Sequence, residues 1–349
     1  MKSKFIALYL SCLFCLSFLS LPSLVQSQET KIVVVPFGDD ARPLQNIVTV
    51  AKENGDFSDP VAAVNSISDP CATGPWLVVI APGVFTLQSQ LIMRECVSIA
   101  GSGKFVSILE GSRASGVIGA DAALVITADQ TQLRDLTIRN DGASAIGPRS
   151  IGVFVDQNSS LVNLHVEAIN NSDSYAAVIE GDKISTVLNS DFIANASTNA
   201  RALLARFGVE LDVNHSRFKT VDASSSIAVF ITTNSTRATI SDSVMETEGG
   251  DAINIGFANF SIDTVLQNSR VVSRDSLNDD VGVSNTSPTG TLVVRDSRID
   301  ASDNTLDIVG NTYIFDSFLE GGPVSGSPTC VNVFSGSGAL LDASCQTPP

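Results

Sequence analysis

One short pattern of apolar and polar positions recurs through the middle of the chain. In each copy an apolar residue is followed two positions later by a polar residue, usually Asp or Asn, then by Leu or Ser, and two positions after that by a second apolar residue. The second apolar residues are spaced by 28, 26, 26, 27, 26, 28 and 20 residues, and they are Ile138, Val166, Phe192, Phe218, Met245, Val271, Ile299 and Leu319. Such self-similarity is typical of proteins built from stacked repeats.

The Asp/Asn position of this pattern predicts a bend in the chain. Seven of its eight residues are Asp or Asn, and the full set is Asp135, Asn163, Asn189, His215, Asp242, Asn268, Asp296 and Asp316. Asp and Asn tolerate left-handed backbone and form local hydrogen bonds. The flanking residues are β-branched or alternate between apolar and polar, which favours strands over helices. Stacked copies would therefore place the bend residues in one polar ladder.

The length of the repeat predicts the architecture. A period of 26 to 28 residues leaves room for three short strands, and turns stacked about 4.8 Å apart bury one shared core. We expect an all-β fold, a parallel β-helix of about eight or nine coils over residues 48–349. Leucine-rich repeats have a shorter period with denser Leu, and propeller blades have a longer one, so neither alternative fits.

Both ends of such a solenoid need caps. Asp59 precedes Pro60 and a run of apolar residues at helical spacing that ends at Ile67. This predicts a short amphipathic helix with an Asp N-cap and proline in its first turn. We expect the caps near residues 48–75 and 325–349.

The first 27 residues have the pattern of a secretory signal peptide. Lys2 and Lys4 precede an apolar run that ends at Leu21, and Ser27 offers a cleavage point. The alternative is a membrane anchor, but the run is short for a span and contains Ser and Cys. We expect a protein that is secreted, periplasmic or at the cell surface, with residues 28–47 as an N-terminal extension and no later membrane span.

Four cysteines remain after that segment is removed. In an exported chain an even number favours disulfides, and we expect the pairs Cys71–Cys96 and Cys330–Cys345, one near each end. A zinc site is the alternative, and the long spacings between the cysteines disfavour it.

Composition narrows the class of protein further. Of 349 residues 44% are hydrophobic and 17% are charged, with a net charge of −16. So apolar a chain is not disordered. The acidic balance argues against a nucleic-acid partner, because phosphate would be repelled.

A resemblance to a known family is carried by the segments Val50–Phe57, Trp76–Phe85 and Ile99–Gly103. Together they resemble the opening of pectin methylesterases and of the wider pectin-lyase-like superfamily. The resemblance implies a right-handed parallel β-helix, and it implies a polysaccharide or cell-surface glycan as the partner.

The same resemblance directs attention to residues 303–325. Methylesterases of this type have a Gln-Asp-Thr-Leu motif with an acid/base Asp, and a later nucleophilic Asp. The similar stretch here begins Asp303-Asn304-Thr305-Leu306, so that Asn304 takes the acid/base position and Ser325 falls at or beside the nucleophile. An amide cannot shuttle a proton as a carboxylate does, and the paired carboxylates are missing. The methylesterase mechanism is therefore not expected at this site.

Two other acidic stretches are candidate sites. Gly250-Asp251 resembles part of the polygalacturonase motif but lacks its first carboxylate, and a turn followed by a strand also explains it. Asp275, Asp279 and Asp280 are candidate calcium ligands, although a solvated loop between coils explains them as well. No other cofactor is expected.

The isolated histidines His165 and His215 lie in equivalent copies of the repeat, and we expect structural roles for both. We expect Tyr175 and Tyr313 to be exposed.

Two hypotheses of function follow. The first is a non-catalytic or degenerate pectinesterase-like protein that acts in surface attachment or polysaccharide binding. The alternative is a carbohydrate-active enzyme, a methylesterase, lyase or hydrolase relative, with Asp251, Asp303 and Asp307 as catalytic candidates. An oligomeric adhesin is disfavoured because no coiled-coil heptads precede the repeat.

Overall fold

The chain winds into about ten turns, and each turn adds one strand to each of three parallel sheets. A computed structural model describes residues 46–142, 147–170, 172–181, 184–232, 236–250 and 252–347. These residues fall in one compact unit, Leu44–Pro349. The parallel β-helix is thus confirmed.

Sheet A has twelve strands. They are β1 (Asn46–Val50), β2 (Trp76–Ile80), β5 (Val97–Gly101), β8 (Thr131–Arg134), β11 (Ser159–Val162), β14 (Ile184–Leu188), β17 (Glu210–Asn214), β20 (Arg237–Ser241), β23 (Asp263–Gln267), β26 (Thr291–Arg295), β29 (Asn311–Phe315) and β32 (Thr329–Val331).

Sheet B has eleven strands and follows sheet A in each turn. They are β3 (Gly83–Thr86), β6 (Ser107–Gly111), β9 (Thr137–Asn140), β12 (His165–Asn170), β15 (Asp191–Ala196), β18 (Arg217–Val221), β21 (Val244–Glu248), β24 (Arg270–Arg274), β27 (Arg298–Ala301), β30 (Phe318–Gly321) and β33 (Phe334–Ser335).

Sheet C has ten strands and completes each turn. They are β4 (Leu91–Ile92), β7 (Ala123–Ile126), β10 (Arg149–Val155), β13 (Asp173–Glu180), β16 (Asn199–Arg206), β19 (Ser225–Ile231), β22 (Ile253–Asn259), β25 (Asp279–Asn285), β28 (Asn304–Ile308) and β31 (Val324–Ser325).

The structure has one or two more turns than the eight or nine expected. The repeated pattern starts with the turn that contains β9, whereas β3 and β6 already belong to sheet B. At the other end β33 extends sheet B beyond the last copy. The extra turns lack the complete pattern, so a count of its copies underestimates the length.

The two apolar positions of the pattern build the core. Leu133, Leu161 and Val187 stack in register in sheet A, and Ile138, Val166 and Phe192 do so in sheet B. All six belong to one continuous buried cluster. The rings of Phe192 and Phe218 lie parallel in this core with centroids 5.3 Å apart. Each turn therefore buries its apolar residues on those of the turns before and after it.

The predicted bend lies between sheets A and B and consists of two residues. All eight residues at its first position have left-handed backbone, with φ between 44° for Asn268 and 58° for Asp135. The predicted polar ladder forms in part: the side-chain amide of Asn163 donates to Asp135 Oδ1 at 2.7 Å, and that of Asn268 donates to Asp242. His215 occupies the same bend position, as expected.

The second bend position carries a continuous ladder of serine hydroxyls. Ser243 Oγ donates to the Ser241 carbonyl of its own turn at 2.7 Å, and it accepts the amide of Ser216 in the preceding turn at 3.1 Å. The Ser243 amide in turn donates to Ser269 Oγ at 3.2 Å. Because serine hydroxyls accept the buried bend amides from Leu164 to Ser297 in this way, these turns stack without leaving those donors unsatisfied.

The helix predicted near the start of the solenoid is present. Helix α1 (Pro60–Ser66) begins after Asp59, whose carboxylate accepts the Val61 amide at 3.0 Å. A second short helix, α2 (Pro70–Thr73), was not predicted; it carries Cys71. The disulfides Cys71–Cys96 and Cys330–Cys345 are both present. Within the described ranges, neither helix is long and apolar enough to cross a bilayer.

The serine ladder yields a stability prediction. Replacing Ser243, which is 1% exposed, by alanine leaves the Ser216 amide without its acceptor. We expect Ser243→Ala to lower the apparent free energy of unfolding by about 1–3 kcal/mol, measured by urea denaturation followed by circular dichroism. Ser302→Ala, at an exposed turn position, is the control and should change it by less than about 0.5 kcal/mol. Equal effects of the two substitutions would contradict the role of the ladder.

Candidate functional site

The sequence candidates at the C-terminal end gather on sheet C. Asn304 and Asp307 belong to β28, and Asp303 directly precedes that strand. Ser325 in β31 pairs in register with Asp307, so these two side chains are separated by one inter-strand spacing. Asp251 lies outside the described residues, and its role stays a prediction.

The acids near the start of β28 hydrogen-bond to the corner between sheets B and C. The two Asp280 carboxylate oxygens accept the Ser276 amide at 3.2 and 3.3 Å. The Asp280 amide donates to Asp303 Oδ2 at 2.9 Å, and the Asn304 side-chain amide donates to Asp279 Oδ1 at 3.1 Å. These groups therefore hold successive turns together at this corner.

The three calcium candidates share this corner. Asp275 has left-handed backbone, with φ of 67°, just after β24. In the part of the chain that the structure describes, the only group of three potential ligand atoms within 4.8 Å of one another is Cys71, Glu95 and Cys96, whose two sulfurs are joined in a disulfide. Calcium binding by Asp275, Asp279 and Asp280 stays a prediction.

Asp303 and Asp307 are too far apart along the chain to form a typical pair of catalytic carboxylates. Four residues of extended chain span about 13 Å, whereas the carboxyl groups of most glycosidases lie about 5 to 9.5 Å apart. The residues paired with Asp307 on the neighbouring strands are Ser284 and Ser325. Residues that stack in register on successive strands of one sheet form a row that we call a file. Asp307 therefore has no carboxylate beside it in its own file.

The outer face of sheet C is mostly apolar. Residues such as Val153 and Ala177 join the main core, whereas Ile151, Phe154 and Tyr175 belong to a separate cluster and mark the outward positions. Following the register from these positions gives two outward files, which are Ile151, Tyr175, Arg201, Ile227, Ile255 and Val281, and Phe154, Val178, Leu204, Phe230, Ala258, Ser284 and Asp307. Tyr175, Arg201 and Asp307 are the titratable members of these files.

A long connection covers the first half of this face. Residues 112–122 link β6 to β7, and we call them the strap. Ile118 and Ala120 of the strap pack against the outward cluster. The Ile118 carbonyl accepts Arg206 Nη2 at 3.0 Å, although Arg206 lies three turns further on. Tyr175, which was expected to be exposed, is therefore only 6% exposed, whereas Tyr313 is 40% exposed, as expected.

Arg201 is a buried cation on this face that sequence reasoning missed. Burial lowers the pKa of its guanidinium to about 10, although nearby Tyr175 and Asp173 act in the opposite direction. Its Nη1 donates to the carbonyls of Ser225 at 2.6 Å and Ala200 at 2.8 Å. The sequence signal that could have identified Arg201 is an arginine in the middle of the otherwise apolar strand β16.

A charged cluster lies on the outer face of sheet B. His165, 8% exposed, contacts Glu167 Oε1 through Nε2 at 2.9 Å, and Arg139 Nε donates to Glu167 Oε2 at 2.7 Å. Lys104 pairs with Asp191 at 2.9 Å, and Asp191 Oδ2 lies 4.0 Å from His165 Nδ1. The hydrogen bond from His165, followed by that from Arg139, lowers the pKa of Glu167 to about 2 despite partial burial. These contacts fit the structural role expected for His165.

Among known proteins, matches to this chain were found in solved structures but not in sequence comparisons. No family model matches the sequence, and no curated protein matches it. The Dettilon tailspike protein is 12% identical with a TM-score of 0.55, over 86% of this chain and 63% of the tailspike. A pectin methylesterase from Aspergillus niger is 10% identical with a TM-score of 0.52, over 72% and 83% of the two chains.

A third solved structure agrees with these two. The A-module of mannuronan C-5 epimerase AlgE4 from Azotobacter vinelandii is 14% identical with a TM-score of 0.50, over 79% of this chain and 90% of the module. At such low identity these matches show the fold alone. The chain therefore shares the parallel β-helix fold of these solved structures.

The charged cluster on sheet B predicts a pH dependence of stability. The pKa of Glu167 in the folded state, about 2, is below its ordinary value of 4.5. The stabilising effect of its carboxylate is therefore complete above pH 4.5 and is lost as pH falls towards 2. We expect Glu167→Gln to lower the melting temperature at pH 6 and to make little difference at pH 2. Glu210→Gln, an exposed position on sheet A, is the control. A Glu167→Gln difference that stays constant from pH 6 to pH 2 would contradict this assignment.

Proposed function

We propose that this chain is an exported β-helix protein that binds a polysaccharide or cell-surface glycan without catalysing a reaction on it. The fold is one on which a mannuronan epimerase and a pectin methylesterase are built, which supports a carbohydrate partner. A fold supports many functions, so the argument must rest on the residues of the site.

The non-catalytic part of the proposal rests on which carboxylates lie on the outer face of sheet C. Among the described residues of the two files, Asp307 is the single carboxylate, and serines lie on both sides of it. At the flanking positions of the same face, Asp173 pairs with Arg149 and Glu180 pairs with Arg206. Acid–base cleavage of a glycosidic bond requires two carboxyl groups with different roles. Asn304, at the position that the family resemblance assigns to the acid/base, is an amide that donates to Asp279.

Export is supported by the cysteines and by the N-terminal pattern. Both disulfides close within the folded unit, and disulfides persist in oxidising compartments. The apolar run that follows Lys2 and Lys4 is of the kind that directs secretion.

The alternative of a carbohydrate-active enzyme has one observation in its favour. Arg201 is a buried guanidinium with a lowered pKa, and Tyr175 beside it has a raised pKa because of burial. Perturbed groups of this kind gather at active sites, although structural networks produce them too. If the protein is an enzyme, this buried cluster and Asp251 are where its chemistry should be sought.

Binding and catalysis can be tested on the same preparation. The exported chain is applied to a polysaccharide array and, in parallel, assayed on pectin for methanol release and on polygalacturonate for reducing ends and unsaturated products. We expect binding to at least one polysaccharide without turnover. Asp251→Ala, Asp303→Ala and Asp307→Ala should bind as the parent does, and Asp212→Ala on sheet A is the matched control.

Two results would overturn the proposal. Turnover that is lost in Asp251→Ala, Asp303→Ala or Asp307→Ala, but kept in Asp212→Ala, would establish the enzyme alternative. Absence of binding to every polysaccharide tested would remove the glycan-binding part.

A further inference from the structure

A groove of about 590 Å³ runs along the bend between sheets A and B over the last turns of the solenoid. We call it the bend groove. One wall consists of the first bend residues of five successive turns, His215, Asp242, Asn268, Asp296 and Asp316. The serines of the ladder form its floor. The groove therefore lies parallel to the solenoid axis and repeats once per turn.

The opposite wall consists of the first outward residues of sheet B in the last four of these turns. Val244, Arg270, Arg298 and Phe318 follow one another in register. Phe318 is 48% exposed, and its ring stacks on that of Phe334 in the next turn, with centroids 5.6 Å apart. This wall thus offers two guanidinium groups and a half-exposed aromatic ring in a line.

The polar groups of the groove differ in how far their hydrogen-bonding capacity is used. Asn268 donates to Asp242, and Arg298 pairs with Glu320. By contrast, within the described part of the chain the side chains of Arg270 and Asp296 have neither a hydrogen bond nor an ion pair, although both are exposed to the groove. A free donor and a free acceptor therefore face the groove in adjacent turns.

This combination suits a sugar chain. The C–H face of a pyranose packs on an aromatic ring, and its hydroxyls accept from a guanidinium and donate to a carboxylate. Successive turns are about 4.8 Å apart, close to the advance of one residue in an extended pyranose chain. Successive sugars of one chain would therefore meet the wall residues of successive turns.

Charge indicates which kind of polysaccharide fits. The groove carries three aspartates against two arginines, one of which is paired with Glu320, and the whole chain has a net charge of −16. A polyuronate would be repelled by this field. We infer that the bend groove binds a neutral linear polysaccharide, with one sugar on Phe318 and hydroxyls on Arg270 and Asp296. This inference rests on the proposed glycan-binding function and names its site and ligand class.

The inference is tested by isothermal titration calorimetry with three probes, namely the neutral 1,4-linked hexasaccharides cellohexaose and mannohexaose, and polygalacturonate. We expect a neutral hexasaccharide to bind, and Phe318→Ala and Arg270→Ala each to weaken its binding by about tenfold or more. Matched controls on sheet A are Tyr313→Ala, an exposed aromatic, and Arg237→Ala, an exposed arginine. Both should stay within about twofold of the parent.

Because the four positions are exposed, the variants should keep the parent's circular dichroism and melting temperature, which are checked first. Neutral binding that survives both groove substitutions would overturn the inference while the proposed function stands. Binding of polygalacturonate alone would have the same consequence. If none of the three probes binds, the inference is overturned, whereas the proposed function is decided separately by the wider polysaccharide array.

Discussion

The stacking of the solenoid depends on the hydrogen bonds at the bend between sheets A and B. A two-residue bend needs left-handed backbone at its first residue, which Asp and Asn adopt at small cost. The second residue is buried, so its amide must find a partner inside the protein. From Ser190 to Ser317 a serine hydroxyl serves this need, because it donates within its own turn and accepts the amide of the turn before. Register between turns follows directly, since a slip by one residue would break every one of these bonds.

The features that could be predicted are those that repeat or that act locally. The bend, the inward files of sheets A and B, the Asp59 cap and both disulfides follow from spacing and from the local preferences of residues. The inward and outward residues of sheet C could not be predicted in this way, because they do not simply alternate along its strands. Ala176 and Ala177 are consecutive and both join the core, while Tyr175 and Val178 point outward. With apolar residues on both faces, a periodic pattern cannot separate them. The position of Arg201 and the covering by the strap depend on contacts between distant segments, such as the one from Arg206 to Ile118.

Several acidic residues that are candidate site residues in the sequence form hydrogen bonds within the fold. Asp280 and Asp303 accept backbone amides at the corner between sheets B and C, and Asp279 accepts the Asn304 amide. On sheet B, acids pair with bases of neighbouring turns, as Glu246 does with Arg217 and Glu248 with Lys219. Parallel stacking brings such residues to the same face in adjacent turns, where opposite charges at diagonal positions stabilise one another. In this protein a carboxylate close to another polar residue is therefore weak evidence of catalysis.

The outer face of sheet C and the bend groove differ in whether protein contacts already occupy their polar groups. On sheet C the strap covers the outward cluster, and the Arg201 guanidinium already donates to Ser225 and Ala200. A ligand there would have to displace protein contacts before making its own, which weakens binding. The bend groove has the opposite character, since Arg270, Asp296 and the ring of Phe318 are exposed to it and the serine ladder beneath keeps their spacing constant. Preorganised groups on a rigid floor lose little freedom on binding. The bonds that set the register of the solenoid thus also set the spacing of the groove that we assign to the sugar chain.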